Sequence, residues 1–170
     1  MVATSTTEAG GPAREIALVS PGSAEARHLL RCYFHEIVSR YDGRPVAPER
    51  IDSLLRDNPA DDLAPPHGWF LVARRQAVAV GCAGLRLLPA DGAEVHRVFV
   101  APTARGHGIA SRLLRRLEEL ARAHGVTRLR LTTRHDLVEA RRLYARHGYR
   151  ETPAYNDDPY VDHWFAKELR

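Results

Sequence analysis

A short glycine-containing segment, Arg-Gly-His-Gly-Ile-Ala at 105–110, is the part of the sequence best suited to bind a ligand. It lies between an apolar stretch typical of a β-strand and a long stretch with helical periodicity. Glycine lets the backbone approach a ligand closely, and the free N–H groups at a helix start form an anion site at the positive end of the helix dipole. A pyrophosphate would fit there, and Arg105 can add a charge-assisted hydrogen bond.

Two other nucleotide-binding loops do not match this segment. A Walker A loop would end in Gly-Lys followed by Ser or Thr, which is absent here. A Rossmann fingerprint would need an earlier glycine and a tight strand-turn-helix spacing, so NAD is disfavoured. Taken alone, the segment also fits a plain loop whose glycines only interrupt the chain.

The elements that must position this segment follow in the order β-α-α-β-β-β-α-β-α-β-β, which predicts an α+β (mixed α/β) domain around one sheet. Residues 1–13 are predicted to be a disordered tail, and residues 14–170 form the folded domain. The strand–helix–strand unit from Glu94 to Thr132 should have parallel strands. Strands are predicted at 16–19, 69–73, 77–88, 94–100, 126–132, 149–151 and 161–169, and helices at 26–42, 48–56, 109–124 and from about Asp136 to 147.

The composition excludes several classes of protein. The chain has 170 residues, 44% hydrophobic and 27% charged, as expected for one globular domain, and no apolar run is long enough for a membrane span. Its 25 Lys and Arg residues are interleaved with 21 acidic ones, so the net charge of +4 does not indicate nucleic-acid binding. Cys32 and Cys82 form no CxxC pair and the nine histidines show no zinc spacing, which predicts no metal and a cytoplasmic location.

Two motifs together resemble the GNAT superfamily of acyl-CoA N-acyltransferases. The first is Arg or Gln, two residues, Gly, one residue, then Gly or Ala, which Arg105, Gly108 and Ala110 match in order. The second is Leu-Tyr, three residues, Gly and an aromatic, which is present at 143–149. The resemblance is strongest from 94 to 151. It implies a mostly antiparallel sheet of about seven strands and four helices, with a splayed parallel strand pair as the acyl-CoA cleft.

The resemblance implies acetyl-CoA as cosubstrate. Its pantetheine arm would pair with the backbone of 98–100, and the Val100 amide could polarise the thioester carbonyl. Its pyrophosphate would lie on the amides of the glycine segment. The cofactor-binding residues expected on this basis are Val98, Phe99, Val100, Arg105, Gly106, His107, Gly108, Ile109, Ala110 and Ser111.

Acetyl transfer to an amine needs a base and an acid. Glu94 lies six residues before Val100, where family members often carry a catalytic glutamate, and His96 is the second candidate base; water is the third. An even spacing places Glu94 on the face of Val98 and Val100 unless a bulge intervenes. In the family, a tyrosine at the position of Tyr144 protonates the departing thiolate. Glu94 and Tyr144 also fit purely structural roles.

The acceptor is expected to be a primary amine of a small molecule or peptide, attacking directly in a ternary complex. A non-catalytic acyl-CoA-binding or regulatory module is the alternative, and a homodimer is compatible with the resemblance. One departure concerns 134–137, where many members carry an asparagine that binds the pantetheine and this chain has Arg-His-Asp-Leu. Carboxylates beside aromatic rings could hold a cationic amine, and the candidate acceptor residues are Tyr33, Tyr41, Asp42, Tyr155 and Asp157.

Overall fold

A computed structural model of the chain describes residues 14–170. The predicted tail, residues 1–13, lies outside the described residues. Two short 3₁₀ turns, Asp61–Leu63 and Pro102–Ala104, accompany the main elements. The strands are β1 Arg14–Leu18, β2 Gly68–Arg75, β3 Val78–Leu88, β4 Gly92–Val100, β5 Arg128–Thr133, β6 Arg150–Thr152 and β7 His163–Glu168, and the helices are α1 Ala24–Asp42, α2 Pro48–Asp57, α3 Ile109–Ala123 and α4 Val138–Arg146.

All seven strands form one sheet in the order β1-β2-β3-β4-β5-β7-β6. Every pair is antiparallel except β4 and β5, which run parallel and are joined through α3. The α+β architecture, the number of strands and helices, and the single parallel pair are therefore confirmed. Only the ends of elements differ from the sequence-based expectation by a few residues.

The sheet separates two apolar layers. On one face α3 buries Leu113, Leu114 and Leu117 completely against β2, β3, β4 and β5, and Tyr144 of α4 belongs to the same cluster. On the other face α1 buries Leu29 against β2, β3 and β4. The helical spacing of the leucines in α3 puts them on one stripe, and that stripe packs on the sheet.

Helix α4 begins later than expected because Asp136 does not cap it. The carboxylate of Asp136 instead accepts two hydrogen bonds from the Arg134 guanidinium, each 2.8 Å long. Arg134 also donates to the main-chain oxygen of Ile37 in α1, at 2.7 Å. The charged bidentate pair therefore replaces the cap, and it ties the entry to α4 to the first helix.

Two irregularities of β4 shape the centre of the sheet. The strand pairs with β5 only from Gly92 to Glu94, so the two parallel strands separate beyond that point. In the pairing with β3, two residues of β4, Arg97 and Val98, oppose the single residue Ala83, and Arg97 has a φ of 56°. The result is a β-bulge that inverts the alternation of side chains along the rest of the strand.

Candidate active site

The separation of β4 and β5 leaves main-chain groups of β4 without a strand partner. The amide of Ala101 donates to the Val80 oxygen at 2.7 Å, and Val100 lies opposite Gly81 in the register. Because hydrogen bonding alternates along an antiparallel ladder, the N–H and C=O of Val100 point away from β3, toward the gap. Val98, two residues earlier, points the same way. These are the groups that the sequence analysis expected to pair with a pantetheine arm.

The glycine segment enters α3 without a side-chain cap. Gly106 and Gly108 have φ values of 80° and 72°, and a Cβ atom at either position would meet nothing within 4 Å. Gly108 is the N-cap residue, and the first turn of α3 carries no acidic side chain. The free amides at the start of this 15-residue helix therefore face open space at the positive end of its dipole. This geometry suits a bound diphosphate.

The side chain of Arg105 contacts the protein on both sides of this loop. Its Nε donates to the Val100 oxygen at 2.9 Å, and its Nη2 lies 2.5 Å from Glu36 Oε2 of α1. The guanidinium thereby connects the loop, the end of β4 and α1. The side chain of His107 is exposed, with Nδ1 2.9 Å from the Arg105 oxygen.

Ser111, in the first turn of α3, contacts the end of α4 through a short polar link. Its Oγ lies 2.9 Å from His147 Nε2. Burial lowers the pKa of His147, so that the imidazole is neutral at pH 7. The glycine segment and the helix that carries Tyr144 are therefore held together beside the gap.

Tyr144 is buried, with 7% of its surface exposed, and packs against the rings of Tyr149 and Phe165. Burial raises the pKa of the Tyr144 phenol, and the nearby phenol of Tyr33 raises it further. Tyr33 belongs to α1, on the opposite face of the sheet. The two phenols influence each other where β4 and β5 have separated. Tyr144 therefore keeps its proton at neutral pH.

Glu94 is buried, with 7% of its surface exposed, in a cage of three basic side chains. Arg86 Nη2 lies 2.8 Å from its Oε1, Arg130 Nε lies 2.7 Å from its Oε2, and His96 Nε2 lies 2.7 Å from its Oε1. Burial opposes ionisation of Glu94, but hydrogen bonds and charge from His96 and Arg130 outweigh it and lower the pKa to about 2. The Glu94 carboxylate is therefore a weak base.

Because of the β-bulge, Glu94 does not lie on the same face of the sheet as Val98 and Val100, contrary to what the even spacing predicted. Val98 and Val100 pack with the α3 layer, whereas Glu94 pairs across the ladder with Arg86 on the opposite face of the sheet. The expectation that Glu94 shares the face of Val98 and Val100 is wrong, because Arg97 and Val98 together occupy one step of the register. Sequence reasoning allowed for a bulge but could not locate it.

The candidate acceptor residues do not converge. Asp42 is bound to Arg50 at 2.8 Å, and Asp157 is exposed in the segment between β6 and β7. Tyr41 packs edge-on against Tyr160, with ring centroids 5.6 Å apart. Of these residues, only Tyr155 lies beside the Glu94 cage. The centroid of its ring is 4.3 Å from the Cζ atom of Arg130.

Sequence reasoning missed the arginines that surround Glu94. Arg86 and Arg130 lie on strands that precede and follow β4, and the register pairs Glu94 with both of them. The only signal was the presence of Glu94 near the start of β4, between apolar residues. Which strands become neighbours decides whether such a residue is paired.

The Glu94 cage predicts a measurable acid sensitivity of folding. The pKa of Glu94 falls from an ordinary value of 4.5 to about 2 in the folded state. Such a lowered pKa stabilises the fold above pH 4.5 by about 3 kcal/mol, and this contribution is lost as pH falls from 4.5 toward 2. Urea unfolding at a series of pH values gives the free energy of unfolding as a function of pH, and its fall below pH 4.5 is the acid limb of that curve. Glu94→Gln should flatten the acid limb between pH 4.5 and pH 2.

The matched control for this measurement is Glu119→Gln, which removes an exposed carboxylate that pairs with Arg116 at the surface of α3. It should leave the acid limb as in the unmodified protein. An acid limb that stays equally steep in Glu94→Gln would contradict the lowered pKa.

The fold and the site together define a class of protein, the acyl-CoA acyltransferases built on a splayed parallel strand pair. A sequence profile of the acetyltransferase (GNAT) family matches residues 24–149. The chain therefore belongs to the GNAT family of acetyltransferases and is an acyltransferase. Within residues 14–170, no helix is long and apolar enough to cross a membrane, and no cluster of three His, Cys, Asp or Glu side chains could hold a metal ion.

Individual relatives agree with this assignment. An IAA acetyltransferase of Azospirillum brasilense is 42% identical over 126 residues, which are 65% of this chain and 81% of the relative. The N-alpha-acetyltransferase RimI of Mycobacterium tuberculosis is 40% identical over 91 residues, 52% of this chain and 56% of that protein. The PaiA N-acetyltransferase of Thermoplasma acidophilum, solved with coenzyme A, has a TM-score of 0.71 at 20% identity, over 92% of this chain and 99% of the other.

Proposed function

We propose that the protein transfers an acetyl group from acetyl-CoA to a primary amine of a small molecule or peptide. The observation that carries this proposal is the gap between β4 and β5. On one face of the sheet beside it, Val98 and Val100 pack in the same apolar cluster as Ile109, the first residue of α3, and Tyr144. The family membership and the coenzyme A bound to the Thermoplasma neighbour support the same cosubstrate.

The chemistry proceeds by direct attack of the amine on the thioester. The Val100 N–H stabilises the oxyanion of the tetrahedral intermediate. As the intermediate collapses, the C–S bond breaks and the Tyr144 phenol protonates the departing thiolate. Negative charge builds up on the sulfur as the C–S bond breaks, so a proton donor placed at the sulfur lowers the barrier to its departure. No covalent intermediate on the protein is required.

The proton of the attacking amine passes through water to His96, with Glu94 as its charge partner. Water is needed because His96 pairs with Gly84 and Val100 pairs with Gly81, which places them about 10 Å apart along the strand. Glu94 was the first candidate base on sequence grounds, but a carboxylate with a pKa of about 2 accepts a proton poorly. Imidazole is the side chain best suited to exchange protons near neutral pH. Its Nε2 lies 2.7 Å from the Glu94 carboxylate, which stabilises the imidazolium once it forms.

The test of the function is a coupled measurement with acetyl-CoA and a panel of amines and short peptides. Thiol release should appear only when both substrates are present, and mass spectrometry should find one added acetyl group on the amine. Binding of coenzyme A without turnover on any member of the panel would instead favour the non-catalytic acyl-CoA-binding module.

The proton route makes its own prediction. In His96→Gln, kcat/KM at pH 7 should fall by about 100-fold, the typical contribution of a general base. The loss should shrink as pH rises, because the acceptor amine then arrives already deprotonated. Glu94→Gln should lower the rate less than His96→Gln does. A deficit in His96→Gln that stays constant from pH 7 to pH 10 would remove His96 from the proton route.

A further inference from the structure

A cavity of about 370 Å³ opens where β4 and β5 begin, beyond the Glu94 cage. Arg130 and Arg128 line one side of it and Tyr155 covers it. Its apolar walls include Leu88 and Ala93, and none of the residues between 14 and 170 that line it is acidic. The cavity is therefore basic at one side and apolar at the other.

The arginines at and beside this cavity have carboxylate partners but keep unused N–H donors; Arg86, for example, pairs with Asp62 at 3.2 Å as well as with Glu94. Glu94 is a single carboxylate shared between Arg86, Arg130 and His96. Arg130 uses only Nε to contact Glu94, and its two terminal nitrogens make no hydrogen bond to residues 14–170. Arg128 contacts Glu168 at 3.4 Å, and both of those side chains are more than half exposed. An anion entering the cavity would meet free guanidinium N–H groups.

Tyr155 adds an unused donor at the same place. Its hydroxyl is buried and has no hydrogen-bond partner within residues 14–170, although its ring stacks under Arg130. Burial raises the pKa of this phenol, and the negative charge of Glu94 raises it further, so it stays protonated. A buried hydroxyl without a partner costs free energy, and a ligand oxygen would remove that cost.

The distance from Arg130 to the reaction centre follows from the register, since Arg130 pairs with Glu94 across the parallel strands. Arg86 lies opposite Glu94 and Gly81 lies opposite Val100, so five residues of β3 span the interval. At about 3.3 Å per residue, the Glu94 level and the Val100 amide are about 17 Å apart. An extended peptide of about five residues has a comparable distance between its amino group and its carboxylate.

We propose that this cavity is a carboxylate subsite of the acceptor. The acceptor is then an extended amine, of the length of a short peptide, that carries a carboxylate about 17 Å from its reacting nitrogen. Arg130 and the Tyr155 hydroxyl bind the carboxylate, and the apolar wall takes the adjoining side chain. This proposal rests on the acetyltransferase function proposed above.

Matched peptides test the proposal. The substrates are peptides of two to seven residues, each as the free acid and as the C-terminal amide. The ratio of kcat/KM for acid over amide should be close to one for dipeptides and reach about 10- to 100-fold near five residues, the range for a charge-assisted hydrogen bond. A ratio near one at every length would overturn the proposal.

Three variants locate the effect. In Arg130→Gln the acid–amide ratio should fall to about one at all lengths; the ratio is the readout because Arg130 also contacts Glu94, so its loss changes the rate with both forms of the peptide. Tyr155→Phe removes only the hydroxyl, and the ratio should fall severalfold; it also keeps the test valid if Arg130→Gln does not fold. Arg116→Gln, an exposed arginine of α3 paired with Glu119, should retain the full ratio. A full ratio in both Arg130→Gln and Tyr155→Phe would contradict the assignment to this cavity.

A binding measurement separates this proposal from the proposed function. Calorimetry without cosubstrate should show that the pentapeptide acid binds at least tenfold more tightly than its amide, and that Arg130→Gln removes the difference. Such binding with no acetylation of any peptide or amine of the panel would refute the function and keep the subsite. Acetylation with equal binding of acid and amide would keep the function and refute the subsite.

Discussion

Replacing Tyr144 with phenylalanine should lower kcat by about 100-fold while the affinity for coenzyme A changes less than twofold. A general acid contributes at least this factor, and burial keeps the phenol protonated at neutral pH. Phenylalanine preserves the packing against Tyr149 and Phe165, so the loss reports the missing proton and not a cavity. The rate is measured by thiol release and the affinity by calorimetry.

The matched control is Tyr149→Phe. Tyr149 is also buried, its hydroxyl has no hydrogen-bond partner within residues 14–170, and its ring lies 5.9 Å from that of Tyr144. Its replacement should leave kcat within a few-fold of the unmodified protein. Equal rates for Tyr144→Phe and Tyr149→Phe would exclude Tyr144 as the acid.

Replacing Gly108 with tryptophan should weaken coenzyme A binding by about 100-fold or more. The open amides at the start of α3 would then be covered by an indole, and the loss of two charge-assisted hydrogen bonds to the diphosphate accounts for such a factor. The space that a side chain would enter is empty, since a Cβ at this position meets nothing within 4 Å. Calorimetric titration with coenzyme A measures the effect directly.

Backbone strain must be separated from obstruction in this experiment, because Gly108 has a φ of 72°. Gly125 offers a close match: its φ is 76°, its Cβ position is also open, and it follows the far end of α3. Gly125→Trp should cost similar stability on thermal unfolding and leave coenzyme A affinity unchanged. A comparable loss of affinity in both variants would indicate that strain, and not a blocked anion site, is responsible.

The residues around Glu94 take part in both proposals about the acceptor, the role of His96 as the base and the carboxylate subsite at Arg130. The same carboxylate that stabilises a protonated His96 also leaves Arg130 with free terminal nitrogens. The proposed acceptor subsite therefore offers guanidinium donors, whereas Asp42, a candidate partner for a cationic amine, is bound to Arg50. An acceptor that brings its own carboxylate complements this surface.

Local patterns in the sequence determined the glycine segment, the amphipathic α3, the motif that carries Tyr144 and the order of the elements. Each depends on residues a few positions apart, through helical spacing, strand alternation or glycine's access to positive φ. The family resemblance added the expectation of a splayed strand pair, because that feature depends on how strands meet and not on any single stretch.

The tertiary structure decided what surrounds each of these residues. Glu94 acquires a pKa of about 2 because Arg86 and Arg130, from two other strands, lie beside it in the register. The bulge at Arg97 and Val98 decided which face Glu94 occupies. Strand register and side-chain pairing across tens of residues arise from packing of the whole sheet, so no local pattern encodes them. The sequence thus determined which groups can react, and packing decided their charge state and their neighbours.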